Sequence, residues 1–177
     1  MEFYDVINKR RTIRDFQEDT IDMEVVNRII DSGMKAPTND HMRDWHFIIV
    51  KDKDVVEKLI KKIPKQYQML FDASCVLIPL FKQKKDLLKP KDLSALNAFA
   101  SIWCCIENIF LAITAEKYAY ALRIPLGDEQ EYVRNILKFP EEYVMPCYIA
   151  IGKPKDDAVY NEQKKYAIED RIHLNEW

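Results

Sequence analysis

Glycine is nearly missing from this chain, with three residues in 177: Gly33, Gly127 and Gly152. Neither a G-x-G-x-x-G turn nor a G-x-x-x-x-G-K-S/T loop fits those positions, so no glycine cradle holds a nucleotide phosphate. Histidine is equally scarce. His41, His46 and His173 form no H-x-x-x-H pair, and without a G-x-S-x-G elbow the spacing assembles neither a hydrolase triad nor a metal ligand set. Cysteine is limited to Cys75, Cys104, Cys105 and Cys147, with no C-x-x-C spacing; all four lie in apolar runs and read as buried free thiols. The formal net charge of −2 lacks the broad basic surface of a dedicated nucleic-acid binder, so no nucleic-acid partner is expected. The acidic opening Met1-Glu2-Phe3-Tyr4-Asp5 is unlike a signal peptide, and the cytoplasm is the expected location.

What the chain does have is a concentrated basic stretch, Lys9-Arg10-Arg11-Thr12-Ile13-Arg14-Asp15-Phe16. Arginine offers forked donors that are always charged, and a nearby hydroxyl adds a small polar contact, a set suited to a phosphate monoester. Taken alone the stretch equally reads as a solvated basic turn. With the usual catalytic constellations absent, a phosphate grip implies a cofactor that brings its own reactivity.

The hydrophobic pattern predicts the scaffold. Phe3, Val6 and Ile7 suggest a short helix aimed at the arginines, and Ile21 to Met34 a second helix with Asp22 as N-cap. Trp45–Val50 and Ser74–Phe81 read as buried strands, with a surface helix from Val55 to Ile63 between them. Lys82 to Asp92 is a charged connection with no assigned chemistry. Leu93 to Tyr118 is apolar nearly all round, with stripes Leu96-Phe99-Trp103-Ile106-Phe110-Ile113 and Ile102-Cys105-Ile109-Ala112, as in a helix buried on more than one side. Glu107 and Asn108 at its middle argue against a membrane span; burial against a second copy of the chain as well as its own sheet would satisfy both observations, so a homodimer is expected. Tyr118–Arg123 then suggests a short strand, Asp128 and Glu131 a capping box for a helix through Lys138, and Val144–Gly152 a last strand. Irregular alternation of long helices with few strands indicates an α+β fold. Residues 1–177 read as one domain, whose charged tail from about 153 to 177 should lie across another surface.

Arg10-Arg11-Thr12-Ile13-Arg14-Asp15-Phe16, then Ala36-Pro37-Thr38, then Trp45-His46-Phe47, then Ile151-Gly152-Lys153-Pro154 follow one another along the chain. Together, in this order and spacing, these four motifs resemble those of the nitroreductase family of FMN-dependent oxidoreductases. The resemblance implies a three-layer sandwich, with a mainly antiparallel central sheet flanked by helices around a long buried central helix. It implies FMN bound at the interface of a homodimer, with the C-terminal tail wrapping the partner subunit. NADH or NADPH is then the reductant, and hydride passes through the flavin to a small-molecule acceptor such as a nitroaromatic or quinone, in alternating half-reactions.

Residue by residue, the resemblance places Arg10, Arg11, Thr12 and Arg14 on the flavin, the first arginine and the hydroxyl toward the phosphate and Arg14 nearer the pyrimidine edge. Pro37, Thr38 and Asn39 meet the flavin held mainly by the partner. Lys165 corresponds to a late basic residue closing on the phosphate, and Pro125, Leu126 and Gly127 to a turn presenting backbone groups to the ring. Where family members often carry an asparagine and a Gln-Pro pair, this chain has His41-Met42-Arg43-Asp44. His41 and Arg43 are therefore candidates for the flavin edge or an anionic acceptor. No side chain is assigned as catalytic acid or base. A flavin storage or sensing protein, and enzymes of the same fold that dehalogenate or dehydrogenate, share these motifs.

Overall fold

Strands that are apolar along their whole length need cover on both faces, and here helices provide it. In the computed structural model, which describes residues 1–83 and 96–177, an antiparallel sheet lies between two helical layers. In chain order the elements are α1 (Phe3–Lys9), α2 (Met23–Met34), β1 (Trp45–Val50), α3 (Lys53–Ile60), α4 (Met69–Asp72) and β2 (Cys75–Lys82). There follow α5 (Asn97–Ala115), β3 (Ala119–Arg123), α6 (Glu129–Leu137), β4 (Tyr143–Val144) and β5 (Tyr148–Gly152). The sheet order is β1-β2-β5-β3, with β4 on the end of β2, and every pairing is antiparallel.

Side chains alternate between the two faces of a strand, and both sets are buried. Leu77, Phe81, Ile149, Ile151 and Tyr120 pack toward α2 and α5, whereas Val76, Ile78, Leu80, Tyr148, Ala150 and Ala121 pack toward α3, α4 and α6. This is the expected α+β, three-layer architecture. α5 is the helix around which one layer forms: Ile102, Cys105, Ile106, Ile109 and Ile113 are sealed in the core. By length and composition α5 could cross a membrane, yet its inner face is spent on the sheet and on α2. α2 approaches closely because Gly33 has no side chain; a Cβ there would lie 2.6 Å from Cγ1 of Ile109.

Several local expectations are corrected. The expected strand Val144–Gly152 is two strands, because Pro146 lacks an N–H and the ladder breaks across Met145–Cys147, alongside Pro79 of β2. The helix expected from Val55 begins at Lys53, since the Asp52 carboxylate caps the amides of Asp54 and Val55. Asp128 flanks α6 without capping it: its carboxylate instead accepts from Lys62 Nζ at 2.6 Å. Cys104 is exposed, while Cys75, Cys105 and Cys147 are buried free thiols. Leu96 and Phe99 remain on the surface of the single chain, so one stripe of α5 lacks cover at its N-terminal end. The charged connection after Gln83 lies outside the described residues, as do Leu93–Ala95 of the predicted helix.

Candidate functional site

The basic segment runs along the free edge of the sheet. Thr12 bridges Tyr120 of β3 in parallel, the Ile13 amide donates to the Tyr120 carbonyl at 3.0 Å, and the Gln17 amide donates to the Lys153 carbonyl at 2.8 Å. Phe16 bridges Pro154 and lies over Gly152, where a Cβ would sit 2.9 Å from its ring. The end of the first sequence motif and the whole of the last are thus one clamp. It covers an edge strand, which would otherwise present unpaired backbone groups, and it delivers Arg10 and Thr12 to a fixed place.

At that place the organising residue is Tyr120, which sequence reading treated only as part of a strand. Its ring stacks on Phe110 of α5 with centroids 3.8 Å apart and planes 2° from parallel. Its hydroxyl accepts from Nη1 of Arg10 and also hydrogen-bonds Thr12. Burial pushes the phenol above its ordinary pKa, partly offset by Arg10. Nε of Arg10 faces a second group, the carboxylate of Glu107 on α5, at 3.5 Å. Partial burial raises the Glu107 carboxyl, and the Arg10 charge pulls it back down. A guanidinium has five N–H donors; with one aimed at Tyr120 and one at Glu107, three are left open among the described residues.

The neighbouring arginines behave differently. Arg11 folds back onto the carbonyls of Asn8 (2.6 Å) and Arg10 (2.8 Å), closing the C-terminal end of α1, and its Nε is buried without a partner among the described residues. Arg14 is exposed.

A second cluster lies at the N-terminal end of α5. Thr38, Asn39, Met42 and Arg43 line a shallow cleft open to solvent, together with Trp45, Phe81, Lys82, Asn97 and Ser101. The Asn39 amide donates to Ser101 Oγ at 3.3 Å, and Asn97 Nδ2 donates to Asn39 Oδ1 at 3.2 Å. Among the described residues Thr38 Oγ1 is buried with no partner, an orphaned polar atom of the kind that a bound ligand satisfies. His41 and Arg43 both adopt left-handed backbone, φ 53° and 45°, which stores strain in a loop of non-glycine residues. Pro37 and His41 are exposed beside the cleft.

The two clusters touch α5 at Ser101 and Glu107. Six helical residues separate these by about 9 Å along the axis and place them on faces roughly 120° apart. A single chain therefore keeps the arginine grip and the cleft on different sides of the same helix. Pro125, Leu126 and Gly127 occupy the turn between β3 and α6, fixed by a buried fork in which Arg123 donates to Glu129 at 2.5 and 2.7 Å and to the Ile124 carbonyl at 2.7 Å. Lys165 is exposed in the tail, two residues beyond Gln163, whose amide donates to the carbonyls of Ile7 (3.3 Å) and Arg10 (3.1 Å). The tail thus passes beside the arginine segment of its own chain. Tyr120, Glu107, Asn97 and Ser101 carried no sequence signal, because their role comes from contacts between distant segments.

Known proteins resemble the chain in part of its sequence and in its fold. Residues 7–68 match the model of the Nitroreductase family. An inferred NADH dehydrogenase/NAD(P)H nitroreductase of Archaeoglobus fulgidus is 28% identical, the match covering 97% of each chain. Human iodotyrosine deiodinase 1 is 37% identical over 68 residues, which are 38% of this chain and 24% of that protein. Among solved structures, an FMN-dependent nitroreductase from Clostridium difficile R20291 superimposes with a TM-score of 0.74 at 22% identity, covering 97% of this chain and 98% of that one.

Proposed function

Starting from a chain that matches the nitroreductase family in its N-terminal sequence and across its whole fold, we propose an FMN-dependent oxidoreductase that uses NADH or NADPH to reduce a small acceptor such as a nitroaromatic or quinone. The family match supports the general oxidoreductase assignment. The observation that carries the cofactor is Arg10, held in place by Tyr120 and still offering open N–H donors. Charge-assisted hydrogen bonds from such a group contribute roughly 1.5 to 3 kcal/mol each, which suits a phosphate dianion. The partnerless Thr38 Oγ1 beside the Asn39 and Arg43 cleft fits a polar ring edge.

In this reading Arg10 and Thr12 hold the phosphate, Lys165 approaches it from the tail, and Arg14 reaches the pyrimidine side of the ring. Arg11 braces the end of α1 behind them. Pro37, Thr38, Asn39, His41 and Arg43 of a second copy meet the same flavin, and the Pro125-Leu126-Gly127 turn presents backbone groups. When bound, FMN supplies the ring that takes hydride from the nicotinamide and gives it up to the acceptor. The protein's part is to orient that ring, exclude water around it and place cations near its anionic groups.

Because the arginine grip and the cleft lie on different sides of α5, a complete site requires a homodimer. The apolar residues left on the surface fit that arrangement: Phe3, Tyr4 and Phe99 on helices, and Tyr160, Ile172, Leu174 and Trp177 along a tail that wraps the partner. Free thiols, three of them buried, fit a cytoplasmic setting.

The test is flavin binding. Arg10→Ala should weaken FMN affinity by tenfold or more, about 1.4 kcal/mol, while a protein that is colourless after gentle isolation and takes up no added flavin contradicts the assignment. One second reading has an observation behind it. The 68-residue match to a deiodinase favours reductive dehalogenation, and turnover of an iodinated phenol in preference to quinones would select it.

A further inference from the structure

Arg10 is not an empty-handed cation. Its Nε faces Glu107, a carboxylate brought there by the middle of α5 and half exposed at 54%. Tyr120 holds the other side of the same guanidinium through Nη1. The two contacts differ in kind. The phenol is buried, stacked on Phe110 and neutral, so it can stay in place when an anion arrives. The carboxylate carries the same sign of charge as a phosphate and is tied to Arg10 at 3.5 Å without a close hydrogen bond.

We infer that Glu107 is the resident counter-ion of Arg10, a carboxylate that competes with an incoming phosphate monoester and lowers the affinity of the site for it. The inference rests on the FMN reading above and concerns only what this chain's own residues do at the phosphate. A phosphate monoester carries about −1.5 to −2 charge near neutral pH, enough to displace a single solvated carboxylate from a shared guanidinium. Glu107 is half exposed and meets Arg10 at 3.5 Å, beyond a close hydrogen bond, so it is held only weakly. While the site is empty, Glu107 keeps Arg10 from standing unpaired beside the apolar Phe110 and Tyr120 stack. When the phosphate is present, its charge opposes binding and favours release.

The experiment titrates FMN and riboflavin into the full-length chain freed of flavin, following flavin fluorescence, for the wild type, Glu107→Gln and Glu107→Asp. Riboflavin lacks the phosphate and isolates its contribution. Neutralising Glu107 should tighten FMN about three- to tenfold, a modest gain because exposed charges are screened, and leave riboflavin unchanged. Glu107→Asp, which keeps the charge, should stay near the wild type, and the FMN advantage of Glu107→Gln should shrink at high salt. Wild-type FMN binding with a Glu107→Gln affinity that is equal or weaker overturns the inference and leaves the flavoprotein reading intact. Equal tightening of FMN and riboflavin also overturns it, since the effect would not then act through the phosphate. Failure of the wild type to bind FMN at all rejects the parent reading, and the role of Glu107 falls with it.

Discussion

At the scale of single residues, the scarcity of glycine turns into a constraint. Gly33 and Gly152 stand where helix meets helix and ring meets strand, and Gly127 takes a positive φ of 56° in the turn before α6. Elsewhere left-handed backbone is given to His41, Arg43, Lys117, Lys138 and Asn175. The consequence is sharpest at Gly152. Its missing side chain lets Phe16 lie on the sheet edge, and an added Cβ would also come within 3.3 Å of Phe16 Cβ, which cannot swing aside as a ring tip could. Gly152→Ala should cost about 1–3 kcal/mol by overpacking. Hydrogen exchange should show where, because the Ile13 and Gln17 amides that tie the segment to the sheet would lose protection before the core strands do.

Among the elements, α6 and its preceding turn depend on one ion pair. Arg123 and Glu129 are sealed, at 2% and 8% side-chain exposure, and the guanidinium also lies over the Tyr67 ring, 4.6 Å from its centre. Removing one member leaves a buried charge alone, which typically costs about 3–5 kcal/mol. Arg123→Met should therefore destabilise the protein by about that amount in denaturant unfolding, and the paired change with Glu129→Leu should recover most of it. A loss from the single variant comparable to that of a surface substitution would show that the fork does not hold the turn. By contrast the Lys62–Asp128 pair is on the surface. It draws Asp128 away from capping, and the predicted capping box gives way to it because Lys62, in the turn after α3, lies within reach only in the folded chain.

For the molecule as a whole, the exposed apolar residues call for a covering surface. Phe3 and Tyr4 on α1 are 63% and 75% exposed, and Trp177 fully so, a distribution that suits an interface better than an isolated surface. Light scattering at micromolar concentration should give twice the chain mass of 21.0 kDa, and a monomeric mass would remove the second half of the proposed site. Phe99→Glu, on the outer face of α5, should shift the mass toward monomer and weaken flavin binding together.

The sequence by itself determined the elements whose pattern is local. The apolar runs of β1 and β2, the one-sided α2 with its Asp22 cap and the long apolar α5 follow from periodicity and capping chemistry, and the clustered arginines point to an anion from charge alone. Only the tertiary structure decided what those arginines do. Arg10 is aimed by a tyrosine 110 positions away and faces a glutamate on a third element, while Arg11 turns back to its own helix. Sequence spacing sets where a side chain begins along an element. Which groups then share its hydrogen bonds depends on segments brought together by burying a common core, and that pairing has no local signature.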